Sequence, residues 1–124
     1  MTHTPPRALV LDEPLSLWGG IDPATGEIID ANHPQRGASV RGRVLVMASG
    51  RGSSSSSSVL AEAVRAGTAP AAILLGEPHL ILSIGAAVAE ELYGVVVPIM
   101  VLPPARLAAI VDGSPLDIAG ALHP

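Results

Sequence analysis

The chain has 124 residues, a length at which one domain buries about two-thirds of its unfolded surface. Its formal net charge is −4, and all seven basic residues are Arg. This balance argues against a nucleic-acid or anionic-membrane partner. The absence of Lys excludes lysine-dependent catalysis within this chain, and aromatic residues at 2% leave no platforms for base stacking.

Cysteine is also absent, so the chain can form no disulfide and can supply no thiolate to an iron–sulfur cluster. Residues 1–7 lack the apolar core of a secretory signal, and the longest apolar run, at 95–103, is too short to span a bilayer. We therefore expect a soluble, cytoplasmic protein with no membrane partner and no nucleic-acid partner.

The first 40 residues predict either irregular structure or short strands separated by turns. The apolar run at 7–11 is typical of an opening strand. Residues 22–27 contain Asp-Pro and a Gly, which favour a turn, and the turn leads into a short extended segment at 28–30. No repeat and no domain linker is visible.

From residue 40 onward, strands and helices alternate. Residues 40–48 predict a central strand buried on both faces, and residues 71–75 predict a second buried strand. Between them, an apolar helical face predicts a helix that ends at Gly67. The residues on that face are Val59, Leu60, Ala63 and Val64.

A second helix is predicted before Gly94, with its apolar face formed by Ile84, Ala87, Val88 and Leu92. The strand at 95–102 contains Pro98, which favours an edge position or a bulge. A short helix through Ile110 and a final strand at 116–118 follow. The pattern predicts a single compact α/β domain with a partly parallel sheet.

The segment 50–58, which we call the serine turn, is Gly-Arg-Gly followed by six serines. Polyserine is commonly a flexible linker, but this run directly joins a predicted buried strand to a predicted amphipathic helix. Helix capping is a second interpretation, but it requires only one serine. A helix N-terminus favours an anion, Gly50 and Gly52 permit close backbone approach, and Arg51 adds charge. The turn therefore predicts a carboxylate or phosphate site, although it is not a nucleotide P-loop.

The same turn can lower the proton affinity of a serine hydroxyl, because N–H groups and Arg51 stabilise a developing alkoxide. Such a serine is suited to take a proton from a carbon next to a carboxylate. His33 is the one histidine in a turn-rich context. This context is compatible with a histidine that contacts the substrate and also with one that simply lies on the surface.

Gly-Arg-Gly-Ser-Ser at 50–54 resembles the Gly-x-Gly-Ser-Ser turn in the swivelling domain of the aconitase superfamily, and most closely in its aconitase X branch. Other stretches look like the same branch: WGGIDPATGEIID at 18–30, HP at 33–34, RGRVLV at 41–46, GTAPAA at 67–72 and VP at 97–98. The resemblance covers nearly the whole chain, from about residue 11 to residue 118.

The resemblance implies a swivelling β/β/α domain that occupies residues 1–124, with 1–6 as a loose N-terminal tail. It implies a heteromeric hydro-lyase in which this chain is the small subunit and a large aconitase-X-type catalytic subunit is the partner. The iron or iron–sulfur centre would lie in that partner, so this chain would bind no metal and no cofactor. The substrate would be a small hydroxy acid.

In the aconitase superfamily, the serine after the second glycine of this turn removes the carbon-bound proton, and the corresponding residue here is Ser53. The resemblance and the turn chemistry give five substrate-binding candidates: Arg51, Gly52, Ser54, Ser55 and His33. Aconitases proper continue the two serines with Arg-Glu-His, whereas serines occupy 55–57 here. The missing arginine argues against tricarboxylate isomerisation, and contact of residues 55–58 or His33 with substrate stays open.

Two dehydrations are known in the branch. An arginine-only, alanine-rich composition favours the bacterial one, on cis-3-hydroxy-L-proline; the alternative is the archaeal dehydration of mevalonate-5-phosphate. A hypothesis of another class is a non-catalytic anion-binding or regulatory module that uses the same turn.

Overall fold

The computed structural model describes residues 5–52 and 54–118. Within them, four parallel strands form one sheet in the order β1-β2-β3-β4. The strands are β1 (Ala8–Val10), β2 (Val44–Met47), β3 (Ala72–Leu75) and β4 (Ile99–Val101). The helices are α1 (Leu17–Gly20), which is one irregular turn, α2 (Ser56–Ala66), α3 (Leu80–Tyr93) and α4 (Pro104–Ala108).

The two faces of the sheet explain the continuous apolar run of β2. Leu45 and Met47 face the layer formed by α2, α3 and the long β1–β2 connection, whereas Val44 and Val46 face α4 and the C-terminal segment. Successive side chains of a strand point to opposite faces, so a strand covered on both sides must be apolar throughout. The predicted α/β class and the central position of β2 are confirmed, and the described strands are all parallel rather than partly so.

The predicted helix after the serine turn is confirmed, but it begins at Ser56, three residues before Val59. Its buried face is the predicted one, and it ends at Gly67 in the left-handed conformation, with φ of +78°. The apolar pattern marks only the buried face of a helix. It therefore missed a first turn made of serines, in which the Ser57 hydroxyl donates to the Ser54 carbonyl at 2.9 Å.

The predicted orientation of α3 is wrong, although the helix and its C-terminal Gly94 are confirmed. Its buried residues are Leu82, Gly85 and Ala89. A Cβ on Gly85 would lie 2.8 Å from the Ser57 carbonyl oxygen, so this glycine allows α3 to approach the backbone of α2. That close contact fixes the rotation of the helix and leaves the predicted apolar face exposed: Ile84, Ala87, Val88 and Leu92.

The C-terminal predictions are confirmed in part. β4 begins directly after Pro98 and is an edge strand, as predicted. The strand expected at 116–118 is wrong: Leu116 donates one backbone hydrogen bond to the Pro6 carbonyl at 2.8 Å, and Pro115 forms only an isolated bridge with Arg7. The predicted tail at 1–6 falls mainly on residues 1–4, which lie outside the described residues.

All four strands are parallel, so their carboxyl ends lie at one edge of the sheet. At this edge β2 leads into the serine turn, and β3 leads into residues 76–79 before α3. Ligands of open parallel sheets bind at this kind of edge. In the described parts of the chain, no helix is long and apolar enough to cross a membrane.

Candidate functional site

The serine turn joins the carboxyl end of β2 to the N-terminus of α2. Ser53, the predicted catalytic base, lies outside the described residues, so the geometry of the turn is given by its neighbours on both sides. Arg51, Gly52, Ser54 and Ser55 are all exposed. The structure therefore brings these four substrate-binding candidates together on the surface at the carboxyl edge of the sheet.

Gly50 is required by a close contact with the next loop. A Cβ at this position would lie 1.9 Å from Cδ2 of His79 and 2.5 Å from its Cγ, so no larger residue fits unless the imidazole moves. The two loops are also joined through their backbones, because the Gly76 N–H donates to the Ala48 carbonyl at 2.9 Å. The end of β3 thus supports the beginning of the serine turn.

Gly52 is required both by its conformation and by a contact. Its φ of +103° is unfavourable for any residue with a side chain, and a Cβ would lie 2.0 Å from Ser16 Oγ. Ser16 in turn donates its hydroxyl to the Trp18 carbonyl at 3.0 Å. The segment around α1 therefore forms a second wall of the turn, beside the wall formed by His79.

The serines divide into structural and exposed ones. Ser56 is 1% exposed, and its hydroxyl oxygen accepts a hydrogen bond from the Trp18 N–H at 3.1 Å. Ser55 occupies the N-cap position of α2 but makes no capping bond with its side chain. Helix starts present N–H groups without intrahelical partners, so Ser54 and Ser55 stand where an anion would be bound.

The charge at the turn comes from Arg51, whose side chain has no ion pair among the described residues. The one ion pair described, between Arg65 and Glu62, lies further along α2. There, hydrogen bonding from the guanidinium lowers the pKa of the Glu62 carboxyl below its usual value. Arg51 therefore adds positive charge to the partial charge of the helix N-terminus.

His33 is built into the β1–β2 connection. The residue is 6% exposed, Nε2 lies 2.9 Å from the Glu13 carbonyl, and Nδ1 accepts a hydrogen bond from the Gln35 N–H at 3.0 Å. Both ring nitrogens are thus bonded to the backbone, with the proton on Nε2. A substrate contact by His33 would require one of these hydrogen bonds to break.

A cavity of about 410 Å³ opens at the same edge of the sheet as the serine turn, lined by residues outside the turn. It lies on the face covered by α4, and its wall is mainly apolar. The lining residues nearest the two loops are Met47, Ala48, Gly76 and Glu77. Among residues 5–52 and 54–118, no group of three or more His, Asp or Glu side chains is placed to hold a metal ion.

Two residues that contact the turn, His79 and Ser16, were not predicted from the sequence. His79 follows Gly-Glu-Pro at the end of the strand next to β2. The carboxyl ends of neighbouring parallel strands lie at the same edge of a sheet. A polar residue just after the second strand, such as His79, could therefore have been predicted to lie near the turn. Ser16 carries no comparable signal, because its position depends on the path of the irregular β1–β2 connection.

A family model described as the aconitase X swivel domain matches residues 4–122. Over 88 residues the chain is 54% identical to cis-3-hydroxy-L-proline dehydratase of Pseudomonas aeruginosa, covering 71% of this chain and 15% of that protein. Over 81 residues it is 46% identical to the phosphomevalonate dehydratase small subunit of Methanothermobacter thermautotrophicus, covering 65% of this chain and 62% of that one.

The fold agrees with these matches. A crystal structure of aconitase X from Thermococcus kodakaraensis in its holo form superposes with a TM-score of 0.75 at 31% identity, covering 87% of this chain and 76% of that chain. The chain spans less than two-thirds of the length of both curated relatives described above. The predicted swivelling α/β domain is confirmed, and the chain belongs to the aconitase X swivel domain family.

Proposed function

We propose that the chain is the small subunit of an aconitase X-type hydro-lyase that dehydrates cis-3-hydroxy-L-proline. The observation that carries the proposal is the serine turn at the carboxyl edge of the sheet, where close contacts require Gly50 and Gly52. The choice of substrate is supported by the 54% identity to the Pseudomonas aeruginosa dehydratase. Phosphomevalonate is the second candidate substrate, supported by the 46% identity to the archaeal small subunit.

In the proposed reaction, Ser53 takes the proton from the carbon that bears the carboxylate. The electron pair of that C–H bond forms the new double bond, and the neighbouring hydroxyl group leaves and takes up a proton, so that the products are an unsaturated acid and water. Backbone N–H groups at the start of α2 and the charge of Arg51 would stabilise the oxyanion of the serine. Ser54 and Ser55, exposed beside Ser53, would donate hydrogen bonds to the substrate.

The large subunit is proposed to hold the iron centre. This chain has no cysteine, and its described residues contain no cluster of metal ligands, so its own residues do not fit an iron–sulfur group. The steps proposed for this chain therefore use no metal bound to its own residues. The chain's own contribution would be the base and the anion-binding turn.

Exposed apolar residues on α3 support the proposal of a large partner. Four of them, spaced four residues apart, form what we call the α3 stripe: Leu80, Ile84, Val88 and Leu92. Their exposed fractions are 74%, 46%, 41% and 63%. The stripe begins next to His79, which contacts the serine turn, so one partner surface can cover both. In the Pseudomonas aeruginosa relative, the matched segment is 15% of a longer protein, which supports the rest of the dehydratase as the occupant.

The proposal is tested by co-expressing this chain with its large subunit and assaying the purified complex on both hydroxy acids. We expect loss of cis-3-hydroxy-L-proline with formation of the dehydrated acid. Turnover of phosphomevalonate alone would select the second substrate. A chain that stays free of any large partner, and that binds phosphate or a carboxylate without turnover, would instead be an anion-binding or regulatory module.

A further inference from the structure

His79 belongs to the loop after β3, yet its ring lies against the serine turn. Its Nδ1 accepts a hydrogen bond from the Leu82 N–H at 3.2 Å and so caps α3. A Cβ placed on Gly50 would lie 1.9 Å from Cδ2 and 2.6 Å from Nε2 of the same ring. The imidazole is therefore held between the start of α3 and the backbone of the turn.

The cap determines which ring nitrogen carries the proton. A backbone N–H can only donate, so Nδ1 must accept, and the neutral ring carries its hydrogen on Nε2. This Nε2–H has no acceptor among residues 5–52 and 54–118. None of those residues has a side-chain nitrogen that is both buried and without a partner, so Nε2 is not completely buried.

We infer that His79 is a substrate-binding residue that donates its Nε2–H to a carboxylate oxygen of an acid held against the serine turn. The inference rests on the proposed function and extends its site to a second loop. It assigns His79 a role beyond capping, because the cap uses only Nδ1. The His79 ring contacts Gly50, which precedes Ser53 by three residues in the chain.

The chemistry of proton removal suits a fixed neutral donor at this place. When the carbon next to a carboxylate loses its proton, negative charge moves onto the carboxylate oxygens. A hydrogen bond to those oxygens then strengthens as the reaction proceeds, so it stabilises the transition state more than the bound substrate. His79 would keep its own proton throughout, and Arg51, which follows Gly50 in the chain, would add positive charge.

The test compares His79→Asn with the wild type, both in complex with the large subunit. Asparagine is a favourable N-cap residue, so the variant keeps an acceptor for the Leu82 N–H and removes the imidazole donor. Two probes are titrated by calorimetry: L-proline, which has the carboxylate but no hydroxyl to eliminate, and L-prolinamide, in which a neutral amide replaces the carboxylate. A charged acceptor should lose more than a neutral one, because charge-assisted hydrogen bonds are about twice as strong.

We expect His79→Asn to weaken L-proline binding about tenfold and L-prolinamide binding less than about threefold. The value of kcat/KM should fall roughly tenfold to a hundredfold, whereas the thermal midpoint of unfolding should not change. Unchanged L-proline binding, or an equal loss for both probes, would overturn the inference. If the asparagine variant fails to assemble, His79→Ser, which also retains a cap, replaces it. Failure of the proposed function would be seen separately, as a wild-type complex that dehydrates neither hydroxy acid. The binding of L-proline and L-prolinamide would still test the role of His79 in that case.

Discussion

Gly85 is the point where α3 touches α2, and replacing it with alanine tests the packing that orients both helices. In a solvent-exposed helix, Gly→Ala stabilises by about 1 kcal/mol. Here the new Cβ would lie 2.8 Å from the Ser57 carbonyl oxygen and 2.9 Å from Ser57 Cα, both of which are backbone atoms that cannot rotate away. Overpacking of a close contact costs about 1–3 kcal/mol. Because the contact is with backbone, the cost should lie near the upper end and leave a net destabilisation of about 1–2 kcal/mol.

The assay is urea unfolding of the purified chain, compared as the free energy of unfolding in water. Ser83→Ala is the matched control, because Ser83 is exposed on the same helix, and its replacement should change stability by less than about 0.5 kcal/mol in the favourable direction. A Gly85→Ala variant as stable as the wild type would refute the close approach of α2 and α3. Since Ser57 belongs to the serine turn, the variant should also lower activity of the assembled enzyme.

Three further substitutions test other parts of the structure. Ser56→Ala removes the acceptor of the Trp18 N–H and should lower the free energy of unfolding by about 1–3 kcal/mol. The control is Ser58→Ala, which changes an exposed serine and should leave stability nearly unchanged. Equal effects of the two substitutions would contradict a structural role for Ser56. Leu60→Ala empties a fully buried site and should cost about 2–5 kcal/mol, and a loss below 1 kcal/mol would contradict its place in the core. Ile84→Ser on the α3 stripe should leave stability within about 0.5 kcal/mol but weaken binding to the large subunit in calorimetric titration; unaltered binding would remove the stripe from the interface.

Features set by local signals were predictable from the sequence. Apolar spacing and a terminal glycine identified α2, since its buried face and its left-handed Gly67 depend on residues within one helix. The position of β4 at an edge followed from Pro98, which has no N–H to donate. The glycine-rich composition of the serine turn likewise indicated a place where the backbone is approached closely.

Features set by contacts between elements were not predictable. The apolar spacing on α3 predicted a buried face formed by Ile84, Ala87, Val88 and Leu92, but Gly85, which has no side chain, allowed a different face to pack on α2. His79 lies next to Gly50 because β2 and β3 are neighbours in the sheet. The sequence alone did not give that proximity, so His79 was not selected as a site residue. Similarly, Ser56 was one of six identical serines until its buried hydrogen bond to Trp18 distinguished it.

The central claim is that the serine turn is half of an active site completed by another subunit. It is tested most directly by titrating the separately purified large subunit with this chain while measuring dehydration of cis-3-hydroxy-L-proline. We expect no turnover by either protein alone and a rate that rises to saturation as wild-type chain is added. A Ser53→Ala chain should still bind the large subunit but give almost none of that rate. A Ser58→Ala chain should give a rate close to that of the wild type. Full activity with the Ser53→Ala chain, or turnover by the large subunit alone, would contradict the account.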